Sequence, residues 1–221
     1  MQHAWGCPKM PSTMASAWPE QVRKITLKGN ESSILNRIST AIVALCFSGP
    51  TMADDVSPEL VAFARTQAAH IAARTDVIEH IIAQNTNHAH LTLEEISRLD
   101  VHWRQQYGSQ DSPLIHRLMN TPLSDALRSL QLRSSELITE IIIMDNRGLN
   151  VAQSSVTSDY WQGDEAKWQK TFLLGPGAEH VGELGRDEST GSIQIQVSRT
   201  VTDHNGHPIG AVTVGVAPLQ F

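Results

Sequence analysis

Nine consecutive residues in the second half of the chain combine aromatic, acidic and small side chains, and they run Thr157-Ser158-Asp159-Tyr160-Trp161-Gln162-Gly163-Asp164-Glu165. This segment lies between two strand-like stretches that meet at residues 145–148 and two more that meet at residues 203–206. Recognition residues concentrate on connections that a rigid sheet holds in place. The segment therefore predicts the rim of a ligand pocket, with stacking and hydrogen bonding as its chemistry.

Four side chains of this segment are candidates for contact with a ligand. Tyr160 and Trp161 offer faces that stack on or cap a bound molecule; alternatively they plug one end of the core, because aromatic side chains bury large areas. Asp159 and Asp164 offer acceptors for an amine or a hydroxyl group. Asp164 has a second possible role as the N-cap of the helix that follows.

Two basic residues and one more tryptophan extend the candidate site. Lys167 and Arg186 are candidates for holding a ligand carboxylate, which an arginine binds through two parallel hydrogen bonds. Exposure to solvent is the commoner outcome for such charges and stays open as the alternative. Trp168 is a candidate for the pocket wall, and it shares one face of a short predicted helix with Phe172, four residues later.

The last hairpin predicts where the floor of such a pocket lies. Its strands cover residues 193–202 and 208–217 and meet near Asn205-Gly206, a dipeptide suited to a tight turn. Side chains alternate between the faces of a strand. Isoleucines and valines fall on one face, which a long helix can cover. The other face is polar and small, and its candidates for the pocket floor are Ser198, Thr200 and Thr213, beside Gln194, Gln196 and Thr202. A solvated face is the alternative, because antiparallel sheets often keep one side wet.

No residue pattern in the chain requires catalysis, a metal or a cofactor. The sequence has no Gly-x-Ser-x-Gly, His-Glu-x-x-His or phosphate-loop motif. The pairs His88/His90 and His204/His207 lack an obvious third ligand, whereas zinc sites show three or four. Nothing in the sequence places Asp159 and Asp164 across a substrate. We therefore expect no enzyme activity, no bound metal and no cofactor.

The N-terminal region has the marks of a secretory signal. Basic residues precede a short apolar run at residues 41–47, and Ser48-Gly49-Pro50 and the small residues Thr51 and Ala53 follow. We predict cleavage after Ala53, with residues 1–53 forming a signal peptide plus an over-called N-terminal extension, and residues 54–221 forming a single periplasmic domain. The alternative for the apolar run is a buried core strand. Both cysteines, Cys7 and Cys46, precede the predicted cleavage, so the mature domain has no thiol chemistry.

The net charge of the predicted mature domain limits the classes of partner that it can bind. The full chain has a net charge of −6, and 12 basic and 21 acidic residues remain after Ala53, which gives −9. A domain this acidic is unsuited to nucleic acid and to anionic membrane surfaces. No second long apolar segment follows, so we expect no membrane insertion of the mature chain.

The order of predicted elements indicates an α+β fold. A long amphipathic helix begins at Ser57-Pro58 and ends near residue 85, and Thr92-Leu93-Glu94-Glu95 is a capping box for a second helix. Ser112-Pro113 and Thr121-Pro122 begin two shorter helices. Strands follow at residues 138–144 and 149–154, then a short helix at 165–172, a weaker strand at 181–186 and the final hairpin. Helices first and an antiparallel sheet second is the α+β order.

Three stretches of the sequence together resemble the Cache family of PAS-like periplasmic sensor domains, in its single-module form. They are residues 138–152, residues 159–165 with Lys167-Trp168, and residues 203–213. The resemblance implies a long N-terminal helix and short helices packed on an antiparallel PAS-like sheet, with a ligand pocket on the other side. Two features depart from the family: the sequence stops at Phe221 without a transmembrane helix and signalling domain, and it lacks the tyrosine–arginine–tryptophan pattern of amino-acid-binding double-module relatives.

The resemblance implies an exported, non-catalytic domain that binds or senses a small polar metabolite, such as an organic acid or an amino acid. The alternative is a periplasmic protein-interaction module that modulates a membrane receptor kinase, cyclase or transporter.

Overall fold

Hydroxyl-bearing caps start three of the helices in the first half of the chain. In the computed structural model, which describes residues 57–187 and 191–217, Ser57 Oγ accepts a hydrogen bond from Leu60 N at 3.2 Å, and Thr121 Oγ1 accepts one from Ser124 N. Thr92 and Glu95 form the predicted capping box. The helices are α1 (Pro58–Ala72), α2 (Thr75–Asn87), α3 (Leu93–Gln106), α4 (Pro113–Met119) and α5 (Pro122–Leu132).

The predicted single long helix is wrong, because two helices, α1 and α2, occupy its place. Arg74 has an extended backbone (φ −72°, ψ 130°), and its guanidinium bonds both carboxylate oxygens of Asp76 at 2.9 and 2.6 Å. Asp76 also accepts a hydrogen bond from Val77 N, which fixes the first turn of α2. Helix α1 packs on the last two strands and α2 reaches the first two. One apolar pattern spans both helices because both pack on the same face of the sheet.

The second half of the chain forms one antiparallel sheet, with two short helical segments between its second and third strands. The elements are β1 (Ile138–Met144), β2 (Asn150–Gln153), α6 (Ala166–Gln169), a 3-10 helix (Phe172–Leu174), β3 (Glu179–Val181), β4 (Gly185–Arg186), β5 (Ile193–Thr202) and β6 (Pro208–Val216). The sheet order is β2-β1-β6-β5-β3, and β4 also pairs with β5. The expected α+β fold, helices on an antiparallel PAS-like sheet, is confirmed.

Two predicted elements are shorter than expected. The helix predicted for residues 165–172 ends at Gln169, because Thr171 (φ −121°, ψ −83°) departs from helical geometry before the 3-10 helix begins. The strand predicted for residues 181–186 is split into β3 and β4, and both pair with β5. Between them, Gly182 N still donates to Gln196 O at 2.8 Å, so this edge stays attached to the sheet.

The core lies between the helices and the apolar face of the sheet. Apolar residues of α1, α2 and α5 pack there against Ile141, Ile143, Val197, Val201 and Val214, which are fully buried. This confirms that helices cover the valine and isoleucine face of the hairpin. The predicted signal peptide and its cleavage after Ala53 lie outside the described residues. Among the helices of the described ranges, none has the length and hydrophobicity that a bilayer crossing requires.

Candidate functional site

The second face of the sheet is filled over β6 and the adjoining half of β1. Trp168 packs there on Ile142, Met144 and Ala211 and stacks on Phe172, with ring centroids 5.1 Å apart. Its indole nitrogen donates to Asp145 O at 3.1 Å. This half of the face is therefore closed by the protein's own side chains.

The remaining half of that face is open and forms a cavity of about 680 Å³. Its walls come from the segment before and within α6 and from β3, β4 and their connection, and the β5 glutamines lie at its base. The lining residues are Thr157, Ser158, Asp159, Gln162, Glu165, Ala166, Lys167, Lys170, His180, Val181, Gly182, Glu183, Gly185, Arg186, Asp187, Gln194 and Gln196.

Lys167 is a largely buried cation in the cavity wall, with a side chain that is 11% exposed. Its ammonium group donates to Gln162 Oε1 at 3.1 Å and contacts Glu165 Oε2 at 3.0 Å. Burial lowers the pKa of Lys167, but the carboxylates of Glu165, Glu140 and Asp159 outweigh burial and raise it overall. The cavity therefore holds a permanent positive charge.

Carboxyl groups surround that cation. Burial raises the pKa of Asp159, although Gln162 Nε2 donates to its Oδ1 at 2.7 Å and Lys167 lies nearby. Burial also raises the pKa of Glu165, against the attraction of Lys167. His180, on the opposite wall, has its pKa lowered by burial and by Lys170. Charged groups of both signs thus face one partly desolvated space.

A buried carboxyl group that the sequence analysis missed, Glu140 on β1, lies beneath the cavity floor. It is 2% exposed, and its Oε1 accepts from Gln194 Nε2 at 2.5 Å and from Gln196 Nε2 at 2.7 Å. Burial and the charge of Asp187 raise its pKa, while Lys167 and the two amides act in the opposite direction. The sequence contains one indication that Glu140 is buried, since it is the only charged residue in the apolar stretch Ile138–Met144.

The structure brings three of the ten candidate site residues together in the cavity: Asp159, Lys167 and Arg186. Tyr160 and Trp161 lie outside it, so they do not form the expected aromatic cap over a ligand. Tyr160 stacks on Trp103 with centroids 5.3 Å apart, and burial raises its pKa well above the usual range. The indole of Trp161 donates to Arg147 O at 2.8 Å. Both aromatics pack in a small core between α3 and the sheet.

The other five candidates also lie outside the cavity. Asp164 is exposed, and Glu165 rather than Asp164 is the N-cap of α6, although its side chain makes no capping hydrogen bond. Trp168 fills the closed half of the face. Ser198, Thr200 and Thr213 are buried, on strands that α6 and the 3-10 helix cover. The hydroxyls of Ser198 and Thr213 bond each other at 2.9 Å.

Helix α3 holds the cavity wall from behind. Asp100 Oδ1 accepts hydrogen bonds from Tyr160 N at 2.9 Å and Trp161 N at 3.1 Å, and the indole of Trp103 donates to Thr157 O at 2.8 Å. Asp100 is another residue that the sequence analysis missed, since a carboxylate on an amphipathic helix ordinarily faces solvent.

In each of the two histidine pairs noted in the sequence, one histidine contacts an aspartate of a turn, and the two pairs do not form one shared site. His88 Nδ1 lies 3.2 Å from Asp145 Oδ2, and His207 Nδ1 lies 3.2 Å from Asp203 Oδ2. Within residues 57–187 and 191–217, no three histidine, cysteine or acidic side chains group as metal ligands do.

Comparison with known proteins gives partial structural matches only. No protein-family model and no curated protein matches the chain. The sensor domain of the V. cholerae histidine kinase DctB is similar to 72% of this chain at 15% identity, with a TM-score of 0.33. The E. coli DcuS sensor domain is similar to 55% of it at 18% identity (TM-score 0.34). The ligand-binding domain of the Pseudomonas fluorescens chemoreceptor CtaA, in complex with L-alanine, is similar to 72% at 12% identity (TM-score 0.32).

These similarities are distant. The chain spans 57% of the DctB domain, 86% of the DcuS domain and 60% of the CtaA domain. All three are described as sensor or ligand-binding domains.

Proposed function

We propose that this chain is an exported sensor domain of Cache type that binds a small polar metabolite, such as an organic acid or an amino acid, without catalysing a reaction. The observation that carries the proposal is the cavity in which Lys167, Asp159 and Arg186 converge.

The size and lining of the cavity support a small-molecule site. A volume of about 680 Å³ falls inside the range of roughly 300–1,000 Å³ that such sites occupy. Burying a charged group is costly unless it gains compensating partners. This cavity nevertheless gathers a largely buried ammonium group and two carboxyl groups of raised pKa, Asp159 and Glu165. Clusters of perturbed titratable groups in a cleft are typical of functional sites.

A ligand with a carboxylate group fits the basic part of the lining. Lys167, Lys170 and Arg186 all face the cavity. A ligand carboxylate that displaced Glu165 as the partner of Lys167 would keep the ammonium group paired.

Thermal-shift and calorimetric screening of residues 54–221 tests the proposal. The panel contains organic acids and amino acids, beginning with L-alanine, which is named with the solved CtaA domain. Binding stabilises the native state by about 2.7 kcal/mol at a ligand concentration of 100 Kd, so the melting temperature should rise.

Lys167→Met should weaken binding of the best acid at least tenfold, roughly the strength of one charge-assisted hydrogen bond. Arg133→Met removes one positive charge from an exposed residue that does not line the cavity, and it should bind like the wild type. A wild-type protein that responds to nothing in the panel would contradict the proposed function.

A second role, contact with a membrane signalling protein, is favoured by the outer surface of α3. This helix exposes Leu93 and Val101, at 60% and 50%, while its inner face holds the cavity wall through Asp100 and Trp103. A partner bound there would contact the element nearest the wall. Co-purification from periplasmic extract with the wild type and with Val101→Asp tests this role; equal capture by both would exclude α3 as the contact.

A further inference from the structure

Two glutamine side chains at the base of the cavity are anchored to one oxygen atom. Gln194 Nε2 and Gln196 Nε2 both donate to Glu140 Oε1, at 2.5 and 2.7 Å. Because both amides use the same oxygen, a proton on the other carboxyl oxygen would leave the arrangement intact. Glu140 therefore holds both amides in either protonation state.

This anchoring fixes which end of the Gln196 amide faces the cavity. The Glu140 oxygen that the amides share can only accept, so it must meet the NH₂ end of each glutamine. The carbonyl oxygen of Gln194 is already engaged by the hydroxyl of Thr139. Gln196, which is less buried and lines the cavity, has its carbonyl oxygen on the side of the amide away from Glu140. The floor thus offers the cavity an acceptor.

Carboxyl oxygens also line the cavity. Asp159, Glu165 and Glu183 lie there together with the cations Lys167, Lys170 and Arg186. Asp159 already accepts a hydrogen bond from Gln162 and Glu165 pairs with Lys167, but a carboxylate has about four acceptor sites. A ligand with an ammonium group would therefore find acceptors in these carboxyl groups as well as in Gln196.

We propose that the cavity selects a ligand bearing a primary ammonium group, that Gln196 accepts a hydrogen bond from it, and that Glu140 is a positioning residue that turns the Gln196 carbonyl oxygen toward the cavity. This deepens the proposed function and rests on it. Carboxylate recognition by the basic residues is compatible with it, and a ligand without an amine is not.

The test compares amine-bearing and amine-free probes by calorimetry on residues 54–221. The probes are glycine and the eighteen L-amino acids that have a primary α-amine, each with its Nα-acetyl form, together with putrescine, ethanolamine, succinate and malate. We expect amine-bearing probes to bind and N-acetylation to weaken binding about 10- to 100-fold, the range for a hydrogen bond to a charged group. Gln196→Met should weaken the best amine probe to a similar degree. Gln67→Met, on α1 against the opposite face, should not change the affinity.

Two variants of Glu140 distinguish its role in orienting Gln196 from an effect of its negative charge. Glu140→Gln keeps an Oε1 acceptor for both amides and should bind the best amine probe within about threefold of the wild type, whereas Glu140→Met removes the acceptor and should weaken binding at least tenfold. Circular dichroism reports whether Glu140→Met folds, and Gln196→Met keeps the test decisive if it does not.

The outcomes are distinct. Binding of succinate, malate or N-acetyl forms as tight as that of the amines would overturn this inference and leave the proposed function standing. An equal loss of affinity for the best amine probe in Glu140→Gln and Glu140→Met would overturn the positioning role of Glu140. No binding by any probe would contradict the proposed function itself.

Discussion

At the scale of single residues, Glu140 shows opposing effects on one carboxyl group. Burial and Asp187 raise its pKa above the ordinary 4.5, and Lys167, Gln196 and Gln194 oppose the rise without cancelling it. A carboxyl group with a raised pKa in the folded state binds more protons there than in the unfolded chain. Its contribution to stability is therefore present below pH 4.5 and is lost as the pH rises through the folded-state pKa.

Glu140→Gln should remove this pH-dependent loss of stability, because a glutamine side chain does not ionise. The free energy of unfolding of the variant, minus that of the wild type, should increase as the pH rises from 4.5 through the raised folded-state pKa. Urea denaturation at intervals from about pH 4 to 8 measures this difference. Groups with lowered pKa values, such as Asp76 and Asp203, are present in both proteins and cancel in the comparison.

The matched control for this series is Glu94→Gln, because the Glu94 side chain is 82% exposed on α3. A constant difference between Glu140→Gln and the wild type across the whole pH series would show that Glu140 is ionised alike in the folded and unfolded states, contrary to the prediction.

At the scale of elements, α3 and the loop before α6 act as one unit. Asp100 accepts hydrogen bonds from two backbone N–H groups of that loop. The indole N–H of Trp103 donates to Thr157 O, and its ring stacks on Tyr160. The aromatic residues that the sequence suggested for ligand contact therefore hold the wall in place from the side opposite the cavity.

Asp100→Ala should destabilise the domain by about 2–3 kcal/mol, because it leaves one buried and one partly buried N–H group without their acceptor. Asp125→Ala removes a carboxylate that is 62% exposed and pairs with Arg128 on the surface, and it should cost less than about 1 kcal/mol. Denaturant unfolding compares the two variants. An equal, small effect of both would mean that the loop does not depend on α3.

The β1–β6 pairing depends on the absence of a side chain at Gly210. A Cβ atom there would lie 2.1 Å from Met144 O and 3.2 Å from Ile81 Cγ2, so β1 or β6 would have to shift. Gly210→Ala should therefore destabilise the domain by about 1–3 kcal/mol, as other overpacking substitutions do.

Gly185→Ala is the control for this prediction, since a Cβ there meets nothing within 4 Å. Its effect should stay within about 0.5 kcal/mol. A melting temperature of Gly210→Ala equal to that of Gly185→Ala would show that the strands separate at no cost.

At the scale of the whole molecule, the two faces of one sheet have different uses. Helices α1, α2 and α5 close the apolar face completely. On the other face, Trp168 and Phe172 close the part over Ile142 and Ala211, and the edge formed by β3 and β4 stays apart from α6. The cavity is the consequence of that incomplete cover.

The proposed export of this domain predicts a defined N-terminus. When the full chain is expressed in a host with a secretion pathway, N-terminal sequencing of the exported protein should give Asp54-Asp55-Val56. Ala53→Arg should block this cleavage, because the peptidase requires a small residue there. An exported protein that retains Met1 would contradict the prediction.

Much of the fold could be predicted from local patterns. Ser57, Thr92 and Thr121 begin helices because their hydroxyls satisfy free backbone N–H groups, and alternation along β5 and β6 assigned the apolar face correctly. The break at Arg74 was missed, because an ion pair between residues two apart interrupts no hydrophobic periodicity. The site was predicted only in part, since Asp159, Lys167 and Arg186 converge but the aromatic cap over a ligand does not form.

Local sequence patterns define the order of the elements, the apolar face of the sheet and a polar opposite face, because caps and alternation are short-range properties. The choice of which polar residues line a cavity is made by packing in the folded domain. Ser198, Thr213 and Gln196 share one face, yet the first two are buried and Gln196 lines the cavity. Which of them meets open space depends on where Trp168 packs, and packing between residues distant in the chain leaves no local signature.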